Sequence, residues 1–276
     1  MKARRVLVVG LGLIGGSLAF ALKKRNVCLQ VLGISRNAAT IDKAVVRGVI
    51  DRGATDIDAM TAQLQEGDIV VIATPTLSVK SICEKLHAAV AKGVIVTDVA
   101  SVKGSVVSDA ESVFGRLPEN FIPGHPIAGS EKSGIDAVNE NLFVRHQVIL
   151  TPSEKSNAAA VEAVSSLWRA VDAELSLMSV EEHDKVLALT SHLPHMLAYT
   201  LVDTLAQRSQ NREIFRYAAG GFRDFTRIAG SDPVMWHDIA LANRAALLSG
   251  LEDFEQHLTS LRCAIENSDG NYLHDL

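Results

Sequence analysis

The sequence predicts an α/β protein, with an N-terminal doubly wound parallel sheet over residues 1–152 and an all-helical unit over 153–276. Three observations carry that prediction. Short runs of β-branched residues alternate with helical spans through the first half, the pattern of parallel strands joined by crossover helices. A turn of the form G-x-G-x-x-G lies between the first such run and the first helix. Beyond Pro152 the apolar residues recur almost throughout at helical spacing.

In order, Arg5-Val-Leu-Val-Val9 reads as a strand buried on both faces. Gly10-Leu-Gly12-Leu13-Ile14-Gly15 follows at once, and Ser17 to Lys24 reads as a helix. Gly10 suits the tight turn, Gly12 a close approach of backbone to a pyrophosphate, and Gly15 close packing of helix on strand. The amides and positive end of the new helix then face the phosphates. The turn, including Leu13 and Ile14, is thus expected to bind a dinucleotide in a Rossmann-type domain.

A second strand covers Leu29–Ile34, where an acidic residue would hold the ribose hydroxyl of NAD. Ser35-Arg36-Asn37 stands there instead. A hydroxyl beside a planar fork of donors suits a 2′-phosphate, so NADP is expected over NAD. Helix is expected over Ala38–Arg47, strand over Asp68–Thr74 ended by Pro75, helix over Ser78–Ala91, and strand over Gly93–Ser101. After a helix near Val106–Phe114, Phe121–Pro126 and Gln147–Pro152 are expected to close the sheet. Ligands of such sheets lie outside the carboxyl ends of the strands, which places Thr74, Pro75, Ser101 and His125 beside the cofactor. Helix over Ser156–Ala170 and a strand over Glu174–Met178 follow. Glu181–Arg208 reads mostly as helix, with Pro194 forcing a kink or a restart near Ser191. Trp236–Glu266 reads as one long helix whose apolar side needs a covering surface, so a homodimer through this region is expected.

Composition bounds the function. Over 276 residues, 47% are hydrophobic and 21% charged, which is ordinary globular composition. A net charge of −5 with no long basic run points away from nucleic acid and anionic membranes. No apolar run reaches the ~20 residues of a spanning helix, and the first strand begins too early for a signal peptide. Cys28, Cys83 and Cys263 lack any paired spacing. A reduced cytoplasmic location is expected.

Three further stretches carry chemistry. Gly124-His125-Pro126-Ile-Ala-Gly-Ser130-Glu131 sets an imidazole at a strand end. On this loop alone, a proton-transfer group and a structural histidine are equally good readings. His192 and His195, three apart, share a helical face and read as substrate contacts or a core pair; a metal would need a third ligand. Arg223, Asp224 and Arg227 follow Gly220-Gly221. Asp224 could orient Arg227 toward an anion, or the two could form an ordinary surface salt bridge. Trp236 reads as a core residue.

Taken together, GLGLIGGSLA, DVASVK, GHPIAGSE, SHLPH and GGFRDFTRIAGSDPVMW resemble the prephenate and arogenate dehydrogenases of tyrosine biosynthesis, in the same order and over nearly the whole chain. The resemblance implies a nucleotide domain, a helical domain that dimerises, and an active site between them. It implies oxidative decarboxylation of prephenate to 4-hydroxyphenylpyruvate with hydride transfer to NAD(P)⁺, or of arogenate to tyrosine. It also implies that His125 bonds the substrate's ring hydroxyl and helps remove its proton, supported by Ser101. Arg227 would grip a carboxylate, and His192, His195 and Trp236 would line the pocket. Glu131 would stand at the pocket entrance, with Ser130 contacting substrate or inhibitory tyrosine. No metal is expected. An appended regulatory domain is not expected, so tyrosine is expected to inhibit by competition. Two rival readings weigh less: a hydroxy-acid dehydrogenase using Lys185, and a non-catalytic nucleotide sensor.

Overall fold

The computed structural model describes residues 4–129, 132–208 and 211–276. The chain divides into two compact units, Met1–His183 and Asp184–Leu276. The first unit thus extends beyond Pro152, because the strand expected near Glu174 pairs with one before it.

Six parallel strands form the main sheet: β1 (Arg5–Val9), β2 (Gln30–Ile34), β3 (Arg52–Ala54), β4 (Ile69–Ile72), β5 (Ile95–Asp98) and β6 (Phe121–Ile122), in the order β3-β2-β1-β4-β5-β6. The order reverses between β1 and β4, which makes a crevice at their carboxyl ends. Side chains alternate between faces, as the pleat requires. Val6, Val8, Val31, Ile69, Val71 and Ile122 enter one buried cluster, with helices Leu13–Lys24, Ala38–Val46 and Ala158–Arg169. Leu7, Val9, Leu32, Ile34, Val70, Ile72 and Phe121 enter the other, with Ile57–Thr61, Val79–Ala91 and Lys103–Phe114.

Two expectations need correction here. The first helix begins at Leu13, not Ser17, so Gly12 is its cap and Gly15 lies within it. The strands expected to close the sheet instead split at Pro123. Only β6 joins the parallel sheet, while β7 (Gly124–Pro126), β8 (Gln147–Leu150) and β9 (Glu174–Leu177) form a separate three-stranded sheet. Within it β7 runs antiparallel to β8, opposing His125 to Ile149, and β8 runs parallel to β9.

The second unit is helical among its described residues. The restart expected near Ser191 takes the form of a π-helical turn, Ala188–His192, before the α-helix Leu193–Ala206. Pro194 sits in the first turn of that helix, where its missing N–H breaks no bond. The single helix expected from Trp236 to Glu266 is two, Pro233–Ala242 and Arg244–Glu266, parted at Asn243. Gly220 and Gly221 open the short helix Gly220–Thr226.

Candidate active site

The glycine turn is built as its spacing requires. Gly10 has φ +104°, and a Cβ there would stand 2.3 Å from the Ala73 carbonyl oxygen. At Gly15 a Cβ would meet the Gly10 carbonyl at 2.1 Å, so helix and turn can close only on glycine. Gly12, in contrast, has no described atom within 4 Å of such a position. The space above Gly12 is open, and the amides of the first helical turn have no acidic side chain beside them. That is the form of a phosphate cradle. Thr74 lies against Gly10 at the end of β4, and its Oγ1 is buried without a partner among the described residues. A buried hydroxyl left unpaired is costly, which makes it a ready contact for a ligand's polar group. Pro75, next to it, is exposed. Beyond β2, Ser35 Oγ accepts from the Asn37 amide at 3.3 Å, and Arg36 is exposed. These residues fit a dinucleotide.

One edge further, Asp98 ends β5. Its carboxylate accepts from the amides of Ala100 (2.9 Å) and Gly124 (3.2 Å), and pairs with Lys103. Lys103 Nζ also donates to the Gly124 carbonyl at 2.6 Å. Both charged side chains are fully buried. The pair therefore shapes the turn carrying Ser101 and ties the start of β7 to the end of β5. His125 follows Gly124 and is buried. Its Nδ1 lies 2.9 Å from Nε2 of His183, whose ring is fully buried on helix Val180–Leu187. Among the described residues Ser101 makes no side-chain hydrogen bond to His125. One partner of His125 is His183, which sequence reasoning passed over. Ser130 and Glu131 lie outside the described residues.

In the second unit, buried His192 Nδ1 stands 3.1 Å from the amide nitrogen of Asn243, which also donates to the Asp184 carbonyl at 2.8 Å. His195 Nδ1 lies 2.8 Å from the Ser191 carbonyl, and its ring stacks on Trp236 with centroids 3.6 Å apart. Trp236 is buried, as expected, and its Nε1 has no partner among the described residues. Burial, chiefly, and the Arg227 charge hold His195 below its ordinary value, against the opposing effect of the hydrogen bond it donates to the Ser191 carbonyl. It is a neutral imidazole at physiological pH. Arg227 is exposed in the turn Arg227–Gly230, and no ion pair joins it to Asp224 among the described residues. Asp224 therefore neither orients Arg227 nor forms a surface salt bridge with it, and the guanidinium is exposed to solvent.

Comparisons with known proteins agree with this layout. Residues 18–177 match the family profile described as prephenate dehydrogenase, nucleotide-binding domain, and residues 179–276 match prephenate dehydrogenase, dimerization domain. The chain is 39% identical to a cyclohexadienyl dehydrogenase of Zymomonas mobilis, over 98% of this chain and 91% of that one. It is likewise 39% identical to a prephenate dehydrogenase of Bacillus subtilis, over 97% of this chain and 72% of that one. Among solved structures it resembles prephenate dehydrogenase from Aquifex aeolicus in complex with hydroxyphenyl propionate and NAD⁺, at TM-score 0.92 and 38% identity, covering 100% of this chain and 95% of that one. It also resembles Synechocystis arogenate dehydrogenase, at TM-score 0.81 and 34% identity, covering 98% and 95%.

Proposed function

The chain belongs to the prephenate dehydrogenase family, and from that premise we propose that it converts prephenate to 4-hydroxyphenylpyruvate and CO₂ with NAD(P)⁺ as oxidant. The observation that carries the reading is His125, a buried imidazole on β7 tied through Gly124 to the end of β5, beside the carboxyl edge of the parallel sheet that carries Gly10 and Thr74. A nicotinamide dinucleotide held by the glycine turn and Thr74 would supply the hydride acceptor.

His125 accepts a hydrogen bond from the ring hydroxyl and draws its proton as the C–H electron pair departs. Loss of the ring carboxylate as CO₂ makes the ring aromatic, and His125 returns the proton to the phenol oxygen. No net proton is gained or lost. Arg227 binds a substrate carboxylate through its planar fork. Neutral His195, stacked on Trp236, adds a polar contact without a second positive charge beside Arg227. Ser101 orients the nicotinamide, while Ser130 and Glu131 recognise the rest of the substrate.

NADP is the preferred cofactor, because Arg36 and Ser35 stand where an NAD enzyme places a carboxylate. The protein is a homodimer through its helical unit, whose helix Arg244–Glu266 exposes Leu248, Phe254, Leu258 and Ile265. Tyrosine, a product analogue with a carboxylate and a phenol, competes with substrate. Likeness to cyclohexadienyl and arogenate dehydrogenases supports a second reading, with arogenate as substrate. Initial rates crossing prephenate and arogenate with NAD⁺ and NADP⁺ test all of this at once. Fastest turnover is expected with prephenate and NADP⁺. Silence in all four combinations, with nucleotide binding intact, would overturn the assignment.

A further inference from the structure

Glu181-Glu182-His183-Asp184-Lys185 reads as the charged, solvated start of a helix, yet the His183 ring is fully buried. Ser179 fixes that first turn: its Oγ accepts from the Glu182 amide at 3.1 Å and its carbonyl from the His183 amide at 3.0 Å. The His183 ring meets His125 edge-on, with centroids 5.1 Å apart and an interplanar angle of 66°. Its Nε2 lies 2.9 Å from Nδ1 of His125. Withdrawing an imidazole from water is unfavourable unless its nitrogens are bonded, so the burial and the bond belong together.

Two ring nitrogens sharing one hydrogen bond hold one proton between them. If His125 donates from Nδ1, its Nε2 is left with a lone pair. In the opposite arrangement a neutral His125 carries hydrogen on Nε2 and cannot accept from a hydroxyl. We propose that His183 is a positioning residue: it accepts from Nδ1–H of His125 and fixes the tautomer whose Nε2 takes the proton of the substrate hydroxyl. This rests on the reaction proposed above. A carboxylate does the same for the histidine of a catalytic triad. Here the acceptor is neutral, so it orients His125 without the nearby negative charge that would raise its basicity.

The test combines long-range ¹H–¹⁵N spectra of ¹⁵N-histidine protein with steady-state kinetics, for wild type, His183→Phe and His183→Gln. In wild type, His125 is expected as the Nδ1–H tautomer. In His183→Phe that tautomer gives way to Nε2–H and kcat falls about 10²-fold, with the prephenate KM and NADP⁺ Kd within about threefold. In His183→Gln, whose amide oxygen can accept in place of Nε2, kcat recovers to within about tenfold of wild type. An Nε2–H tautomer in wild type overturns the proposal. So does a His183→Phe enzyme of unchanged kcat, or one that loses turnover, substrate binding and nucleotide binding together. If His183→Phe does not fold, the wild-type tautomer and His183→Gln decide. A wild type with the Nδ1–H tautomer but no turnover of either substrate overturns the reaction while leaving the hydrogen bond standing.

Discussion

The two units treat their charged groups in opposite ways. In the N-terminal unit Lys103 and Asp98 are both fully buried, paired with each other and bonded to the backbone of Ala100 and Gly124. In the C-terminal unit Arg227 is exposed and unpaired with the neighbouring Asp224. The buried pair has its hydrogen bonds filled from within the protein, so its work is to hold shape. The exposed guanidinium keeps its donors for an anion. The imidazoles divide similarly: His125 is held by another ring nitrogen, whereas His195 is stacked on Trp236 and, among the described residues, bonded at Nδ1 alone.

The sharpest way to break this comparison is to exchange the effects. Lys103→Met leaves a buried carboxylate uncompensated and is expected to lower stability by about 3–5 kcal/mol, read from the urea midpoint. Adding Asp98→Leu should restore only part of that, because the amides of Ala100 and Gly124 lose their acceptor. A cost below about 1 kcal/mol would show that the pair is not structural. Arg227→Ala should do the reverse. Stability stays within about 0.5 kcal/mol, while the prephenate KM rises by about 10- to 100-fold for a lost charge-assisted contact. An unchanged KM would remove Arg227 from the site.

A smaller effect sharpens the contrast between imidazoles. His195 is held below its ordinary value of 6.5, first by burial and then by the Arg227 charge. The unfolded chain therefore binds the proton more readily, so this group's contribution to stability is complete above pH 6.5 and declines as pH falls toward the folded value. An NMR titration should place the His195 inflection below 6.5. In Arg227→Ala it should move upward yet stay below 6.5, since burial is the larger cause. An inflection at or above 6.5 in the wild type would contradict this account of the ring's surroundings.

Much of the fold was legible because it is periodic. The β-branched runs of β1, β4 and β5 announce strands buried on both faces, and Gly10, Gly12 and Gly15 announce the turn from β1 into the first helix. β3 was not legible: Arg-Gly-Ala has no β-branched residue, and it is a strand only because β2 offers an edge. The partners of β7 and β8 were also hidden, because pairing across Pro123 is decided by tertiary packing. At the site, motif residues were legible by type and position, and their partners were not. His183 stands among four charged residues and gives no sign of burial. Asn243, inside an apolar helical pattern, gives no sign that it ends one helix and bonds His192. Lys103 looks like a surface cation until the ends of β5 and β7 close over it.

The central claim is that His125 acts on the substrate's hydroxyl, and His125→Asn tests it most directly. Turnover with saturating prephenate and NADP⁺ is expected to fall by about 10²–10⁴-fold, the range for loss of a general base, while calorimetric binding of both ligands persists. Wild-type turnover in that variant, with binding unchanged, would contradict the account.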